Sequence, residues 1–253
     1  MTAIAAQNAP SFCSFDASHS FIIRGYDPAA SSTPDGGLPR YLEDPHQRTE
    51  DVKNAVSYLA TLSGLVDPER VARLGICASG GYVSYAAQTD KRIKALATVS
   101  AFDVGQYHRE PWGGGEVNVT ALNELFAAAS AQRTYEAATG DVELIFSAPM
   151  SPEEVTPDLP LIFREAYDYY PTARGMHPRA PNVYVTRSQE LMATYDSFDN
   201  MRLVSPRPVL IIYGSRADTP KEEFVVPSAT HFALYDHTDA TVPKLVDFLR
   251  ESI

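Results

Sequence analysis

The residues best equipped for chemistry stand in one run, Arg73-Leu-Gly-Ile-Cys-Ala-Ser-Gly-Gly-Tyr82. An apolar stretch leads into small residues and then into a helix-forming segment, so the run reads as strand, tight turn and helix. That is the layout of a nucleophile elbow, G-x-Nuc-x-G, in which the turn lifts one side chain above the end of a sheet. The positions around the nucleophile must be small because the strained turn has no room for bulk. In the frame that opens at Gly75 the nucleophile is Cys77, and Ser79 takes the place of the second glycine. The competing frame makes Ser79 the nucleophile and keeps Gly81 as the trailing glycine. The chemistry favours Cys77. A thiol at a helix N-terminus beside a histidine has its pKa lowered, and the thiolate is the attacking form. A buried structural cysteine, with glycines serving only close helix–sheet packing, is the alternative reading of the turn taken alone.

Two downstream residues complete the pattern. In a fold with such an elbow, the order along the chain is nucleophile, acid, histidine. The apolar run Pro208 to Tyr213 leads into Gly214-Ser-Arg-Ala-Asp218, and Glu223 to Val226 leads into Pro227-Ser-Ala-Thr-His231. Both Asp218 and His231 thus follow the C-terminal end of an expected strand, where ligands bind in open α/β sheets. The roles follow. His231 takes the Cys77 proton and returns it to the leaving group. Asp218 holds the imidazole tautomer. The backbone N–H of Ala78 donates to the oxyanion, and no second oxyanion donor has a candidate in the sequence.

Other residues weigh less. Gly113-Gly-Gly115 lies after the nucleophile and is expected to be a lid loop rather than an oxyanion hole. Asp103, at a strand end, is the alternative acid. His108, His177 and His237 are expected to serve surface or packing roles, and no pair has metal-ligand spacing, so neither metal nor cofactor is expected. Tyr167, Tyr169 and Tyr170 are expected in lid packing, with an apolar acyl pocket as their other use. Glu43 and Asp44 read as a solvated approach to a helix.

The elements that must position these groups alternate between short apolar runs and helical patterns, which indicates α/β with a mostly parallel sheet. Strands are expected at Ser11 to Phe15, Val71 to Ile76, Ile93 to Val99, Pro208 to Tyr213 and Glu223 to Val226. Helices are expected over Arg48 to Leu62, Gly80 to Thr89 and Thr241 to Glu251, the last with Val242, Leu245, Val246 and Leu249 on one face. Phe21 to Arg40, rich in Pro and Gly, reads as a long loop. The middle is richer in Pro, Tyr and acidic residues, with helices expected only over Ala121 to Arg133 and Val183 to Tyr195. The expected organisation is a sheet domain over 1–103 and 201–253, interrupted by a helical lid insertion over 104–200.

Composition narrows the function. The 253 residues carry a net charge of −11, which disfavours nucleic acid and anionic membrane surfaces as partners. No stretch approaches the roughly 18 apolar residues of a membrane span. The two cysteines, Cys13 and Cys77, make no disulfide framework, and the first residues do not resemble a signal peptide, so a cytoplasmic protein with reduced thiols is expected.

At this level of detail the sequence resembles the α/β-hydrolase superfamily. Its elbow is similar to that of dienelactone-hydrolase-like proteins, which place a cysteine at the nucleophile position. The wider match is to a branch found in bacteria and in fungal polyketide gene clusters. It rests on Phe15-Asp-Ala-Ser18, Pro39-Arg-Tyr-Leu-Glu-Asp-Pro45, Leu74 to Tyr82, Ala97-Thr-Val-Ser-Ala-Phe-Asp103, Tyr167-Asp-Tyr-Tyr170 and Ala229-Thr-His231. The resemblance implies an α/β-hydrolase fold and an acyl-enzyme intermediate on Cys77, with Asp218 and His231 in its triad. The implied activity is hydrolysis of an ester or thioester, or transfer of a polyketide-type acyl group to an alcohol or amine. The implied partner is a small-molecule acyl substrate. Members of the group carry further strands ahead of the Phe15-Asp-Ala-Ser18 stretch, Phe21 to Pro34 looks inserted, and only four residues separate Asp218 from Glu223. On these grounds the sequence reads as N-terminally truncated. A truncated chain is expected to expose a sheet edge that pairs in a homodimer, and an inactive remnant is the non-enzymatic alternative.

Overall fold

The computed structural model describes residues 12–15, 20–23, 41–110, 115–177, 180–214, 224–236 and 238–253. Contacts divide the chain into two compact units, one of Met1–Tyr26, His46–Asp103 and Asp196–Ile253, the other of Asp27–Pro45 and Val104–Tyr195.

The first unit is built on a six-stranded sheet in the order β1-β2-β3-β4-β7-β8. Its strands are β1 (Phe12–Phe15), β2 (Ser20–Ile23), β3 (Ala72–Ile76), β4 (Ala95–Val99), β7 (Val209–Gly214) and β8 (Phe224–Val226). β1 and β2 pair antiparallel, and every other pairing is parallel. The strand β2 corrects the sequence reading, which gave this stretch to a long loop. Its three apolar residues, Phe21-Ile-Ile23, are too few to show a period beside the Pro- and Gly-rich segment that follows. Its non-local ladder, with Ile22 opposite Leu74 and Ile23 opposite Gly75, makes it a strand.

Period-two alternation along the strands splits the core between the two faces of the sheet. On β4, Leu96 joins a cluster with Val52, Val56 and Leu59 of helix α1 (Pro45–Ala60) and Val83, Ala86 and Ala87 of helix α2 (Ala78–Thr89). Its neighbours Ala97 and Val99 join Leu74, Leu210, Ile212, Val226 and Leu245, the last on helix α7 (Thr238–Ser252). The result is three layers, helix on sheet on helix. In α7 the buried positions are Thr241 and Leu245, while Val242 is 40% exposed, so the buried stripe is rotated away from it.

The second unit contains helices α3 (Val104–Arg109), α4 (Val119–Thr139), α5 (Leu161–Tyr169) and α6 (Ser188–Ala193), and an antiparallel pair of β5 (Leu144–Phe146) and β6 (Val183–Val185). The helix expected from Val183 to Tyr195 is therefore strand first and helix second. Val183-Tyr-Val185 is a β-branched and aromatic run that finds a partner in Leu144-Ile-Phe146. α4 starts at Asn118, whose side chain accepts from Ala121 N–H at 3.1 Å, and ends at Gly140 with φ +79°. Ion pairs tie α4 to α6 and to the turn before it, Arg133 to Glu190 and Arg187 to Glu136. Glu43 is fully buried, and its backbone N–H donates to the Ser188 hydroxyl at 2.9 Å. This corrects the reading of Glu43 as solvated.

Candidate active site

The elbow forms where β3 ends and α2 begins. Cys77 has φ +57° and ψ −130°, a region that L side chains rarely adopt, and sits at the N-cap of α2. The backbone around it is fully engaged. Cys77 N–H donates to Val99 O at 3.0 Å, and Cys77 O accepts from Gly80 N–H at 2.8 Å and Phe102 N–H at 3.0 Å. The small residues are required by contact. A Cβ on Gly75 would lie 2.6 Å from Gly80 Cα, and a Cβ on Gly80 would lie 2.8 Å from Ala101 Cα. Neither backbone can yield without moving the turn, so the sequence Gly75-Ile-Cys-Ala-Ser-Gly80 is what lets the helix close onto the strand end.

Ser79 is buried, with helical backbone in α2. Its hydroxyl accepts from Ile76 N–H at 2.8 Å and donates to Ile76 O at 2.8 Å. The side chain that stands where a glycine was expected thus clips the last residue of β3 to the first turn of the helix. The strained dihedral belongs to Cys77 and the doubly bonded hydroxyl to Ser79. Ala78 is buried in the first turn of α2, and its N–H favours the thiolate form of Cys77.

His231 lies just beyond β8. The segment from 229 is held by Gly214, where a Cβ would run into the Ala229 carbonyl, and by the Ser100 hydroxyl, which donates to His231 O at 3.3 Å. His231 Nε2 is 3.1 Å from the Tyr235 hydroxyl, and that same hydroxyl favours the thiolate form of Cys77. The Tyr235 hydroxyl thus acts on both Cys77 and His231. Sequence reasoning missed Tyr235. The available signal was its position four residues after His231, a separation that one tight helical turn closes. Asp218, His237 and Gly113-Gly114 lie outside the described residues.

The electrostatics of the pair differ from the sequence expectation of a lowered thiol pKa. Cys77 is half-buried, and burial pushes its thiol up, outweighing the Tyr235 hydroxyl and Ala78 N–H that favour the thiolate. Burial likewise pushes His231 down to about 4. At neutral pH the resting pair is a thiol and a neutral imidazole. The imidazole is free to accept a proton that the thiol still holds, which is the protonation state required of a general base.

The remaining sequence candidates have other work. Asp103 Oδ2 accepts from Ser197 N–H at 2.9 Å in a buried setting, anchoring the chain where it re-enters the first unit. His108 Nδ1 is 2.9 Å from Val104 O within α3, its ring lies edge-on to Tyr107, and burial lowers its pKa, which is a packing role. Tyr169 and Tyr170 pack edge to face, with Arg174 over the Tyr169 ring. Among the described residues no cluster could hold a metal ion, and no described helix is long and apolar enough to cross a membrane.

The mostly parallel sheet, covered on both faces and carrying a strained strand-to-helix turn at the end of a central strand, defines the α/β-hydrolase fold. No protein-family model matches the chain. It is 33% identical over 264 residues to the uncharacterized protein YcjY of Escherichia coli strain K12, covering 98% of this chain and 84% of that protein. It is 30% identical over 259 residues to the uncharacterized protein PA2218 of Pseudomonas aeruginosa, covering 94% of this chain and 66% of that protein. The crystal structure of PA2218 matches with a TM-score of 0.79 at 25% identity, over 95% of this chain and 86% of that one. The structure of the α/β hydrolase GrgF from Penicillium sp. sh18 matches with a TM-score of 0.62 at 17% identity, over 86% and 75% of the two chains, a likeness of fold. The thiohydrolase aneE of Aspergillus aculeatus is 24% identical over 188 residues, 74% of this chain and 58% of that protein. The chain belongs to the family of YcjY, within the α/β-hydrolase fold.

Proposed function

We propose that the protein is a hydrolase of ester or thioester bonds that works through an acyl-enzyme on Cys77. Cys77 attacks the carbonyl carbon, His231 receives the thiol proton and later activates water, and Asp218 orients the imidazole. Ala78 N–H donates to the developing oxyanion. The observation that carries this reading is the strained backbone at Cys77, in the turn between β3 and α2, with the Tyr235 hydroxyl that favours its thiolate lying 3.1 Å from His231 Nε2. Strain of this kind collects at functional sites because the surrounding structure must over-determine it. Kinship to a thiohydrolase, distant as it is, supports thioesters within the substrate class.

The test is turnover of p-nitrophenyl esters and acyl-coenzyme A thioesters by the purified protein, Cys77→Ala and His231→Ala. Loss of turnover by several orders of magnitude in both variants is expected. Full activity in Cys77→Ala overturns the assignment. Inclusion of an alcohol or amine acceptor, with product analysis, separates hydrolysis from acyl transfer. Preferential formation of the acylated acceptor would make the enzyme a transferase using the same residues.

A further inference from the structure

We propose that the Tyr235 hydroxyl is a catalytic proton relay, carrying the Cys77 proton to His231 Nε2. This rests on the reading of Cys77 as the nucleophile and adds a residue to its machinery.

The relay requires one order of donors. A neutral imidazole offers one acceptor nitrogen, a thiol offers one hydrogen, and a phenol both donates and accepts. With the Tyr235 hydroxyl 3.1 Å from Nε2 and favouring the Cys77 thiolate, the relay runs from S–H to Oη and from Oη–H to Nε2, in the tautomer that keeps the imidazole proton on Nδ1. In the step, the S–H bond breaks as the phenol takes that hydrogen, and the phenol's own hydrogen forms the new N–H bond at Nε2. The products are thiolate and imidazolium, and the phenol is unchanged. The transfer is concerted, because neither a phenoxide nor a doubly protonated phenol is accessible near neutral pH.

Three features fit this role. The resting groups are uncharged, since burial raises the thiol and lowers His231, so a proton has to move before attack. The relay residue is fixed in place. Tyr235 closes a short helical turn, Ala233–Tyr235, whose first N–H is capped by the Thr230 hydroxyl at 3.3 Å and whose Tyr235 N–H bonds Phe232 O at 3.1 Å. Its ring is held edge-on against Phe232 at 5.1 Å and His231 at 5.8 Å between centroids. Finally, after the transfer the same hydroxyl still donates to the sulfur, so it stabilises the thiolate it has helped to form.

The experiment measures iodoacetamide alkylation of Cys77 near neutral pH, read by peptide mass spectrometry with Cys13 as internal reference. It is applied to the parent, Tyr235→Phe, His231→Ala and the double variant. Each single variant should slow Cys77 alkylation by about tenfold or more, the factor of one pKa unit. The double variant should be no slower than the slower single variant, because both changes cut one chain. Undiminished alkylation in Tyr235→Phe, or losses that multiply in the double variant, overturns the relay. A second measurement needs no variant. The acylation rate of the parent with p-nitrophenyl acetate, plotted against deuterium fraction of the solvent, should curve as two protons in flight require. A straight line overturns the relay. Full turnover in Cys77→Ala would instead sink the nucleophile assignment, whereas a dead Cys77→Ala with a fully active Tyr235→Phe would sink the relay alone.

Discussion

The backbone at Cys77 predicts a reversal in the usual ranking of alanine and glycine. In ordinary positions Gly is about 0.5–1 kcal/mol less stable than Ala, because it loses more conformational freedom on folding. At φ +57° and ψ −130° a Cβ is strained, at a cost on the order of 1–3 kcal/mol. Cys77→Ala and Cys77→Gly both remove the thiol, so their difference isolates the Cβ. Subtracting the entropic loss from the relieved strain leaves glycine ahead by about 1 kcal/mol. For a chain of this size that is about 2–4 °C in Tm. The assay is thermal and urea melting of the two variants, with Asn54→Ala and Asn54→Gly as the control pair at an exposed mid-helix site in α1. The control pair should rank Ala above Gly and the Cys77 pair Gly above Ala. A Cys77→Ala protein at least as stable as Cys77→Gly would refute the reasoning, because it would mean that the turn carries no strain at the proposed nucleophile.

Three further outcomes follow from the site. Because burial raises the Cys77 pKa, its alkylation rate should still be climbing with pH beyond the ordinary thiol midpoint of about 8.5; a plateau below that value would contradict the assignment. His231, held near 4 when folded and near the ordinary value of 6.5 when unfolded, binds its proton more readily in the unfolded chain. Its contribution to stability is therefore full above the unfolded value and is lost as pH falls from there towards 4. Relative to His231→Gln, the parent should lose on the order of 1–2 kcal/mol across that window in urea melts, and parallel curves would contradict a depressed histidine. Ser79→Ala should cost about 1–2 kcal/mol, by stripping the hydroxyl from Ile76 N–H and C=O, while lowering ester turnover less than tenfold. Abolished turnover with an unchanged melt would move the nucleophile to Ser79.

What the sequence made legible was local. The runs ending at Ile76, Val99, Tyr213 and Val226 are β-branched and bounded by turn residues, and each is a strand within one or two residues of its expected limits. The elbow could be read because steric demand leaves a mark on residue type, as the contacts of Gly75 and Gly80 explain. Non-local pairing left no such mark. Phe21 to Ile23 and Val183 to Val185 are strands because of Leu74 and Leu144, residues far away in the chain. Burial was also invisible. Glu43 looked solvated beside Asp44, and the Cys77 pKa was expected to fall because the helix N-terminus and histidine are evident in the sequence, whereas the desolvation that outweighs them is a property of the packed fold. Tyr235 was missed for a related reason. Its chemistry comes from which hydroxyl lies between two other groups, and a lone Tyr after a His has no spacing rule of its own.

The hydrogen bonds at the end of β4 have a mechanical consequence. Val99 O holds the Cys77 backbone, Ser100 N–H holds Ile212 O at 2.9 Å on β7, and the Ser100 hydroxyl holds the His231 carbonyl. The backbones of Cys77 and His231 are thus held by the last residue of β4 and the residue that follows it. A twist or breathing motion of the sheet displaces both together, as a common-mode signal, and leaves their separation nearly constant. The differential motion that remains is rotation of the Cys77, His231 and Tyr235 side chains. Packing of the Tyr235 ring against Phe232 and His231 restrains that rotation. Slow collective motions of the sheet are then shared by the two anchors, and the alignment of the three groups depends on their local packing.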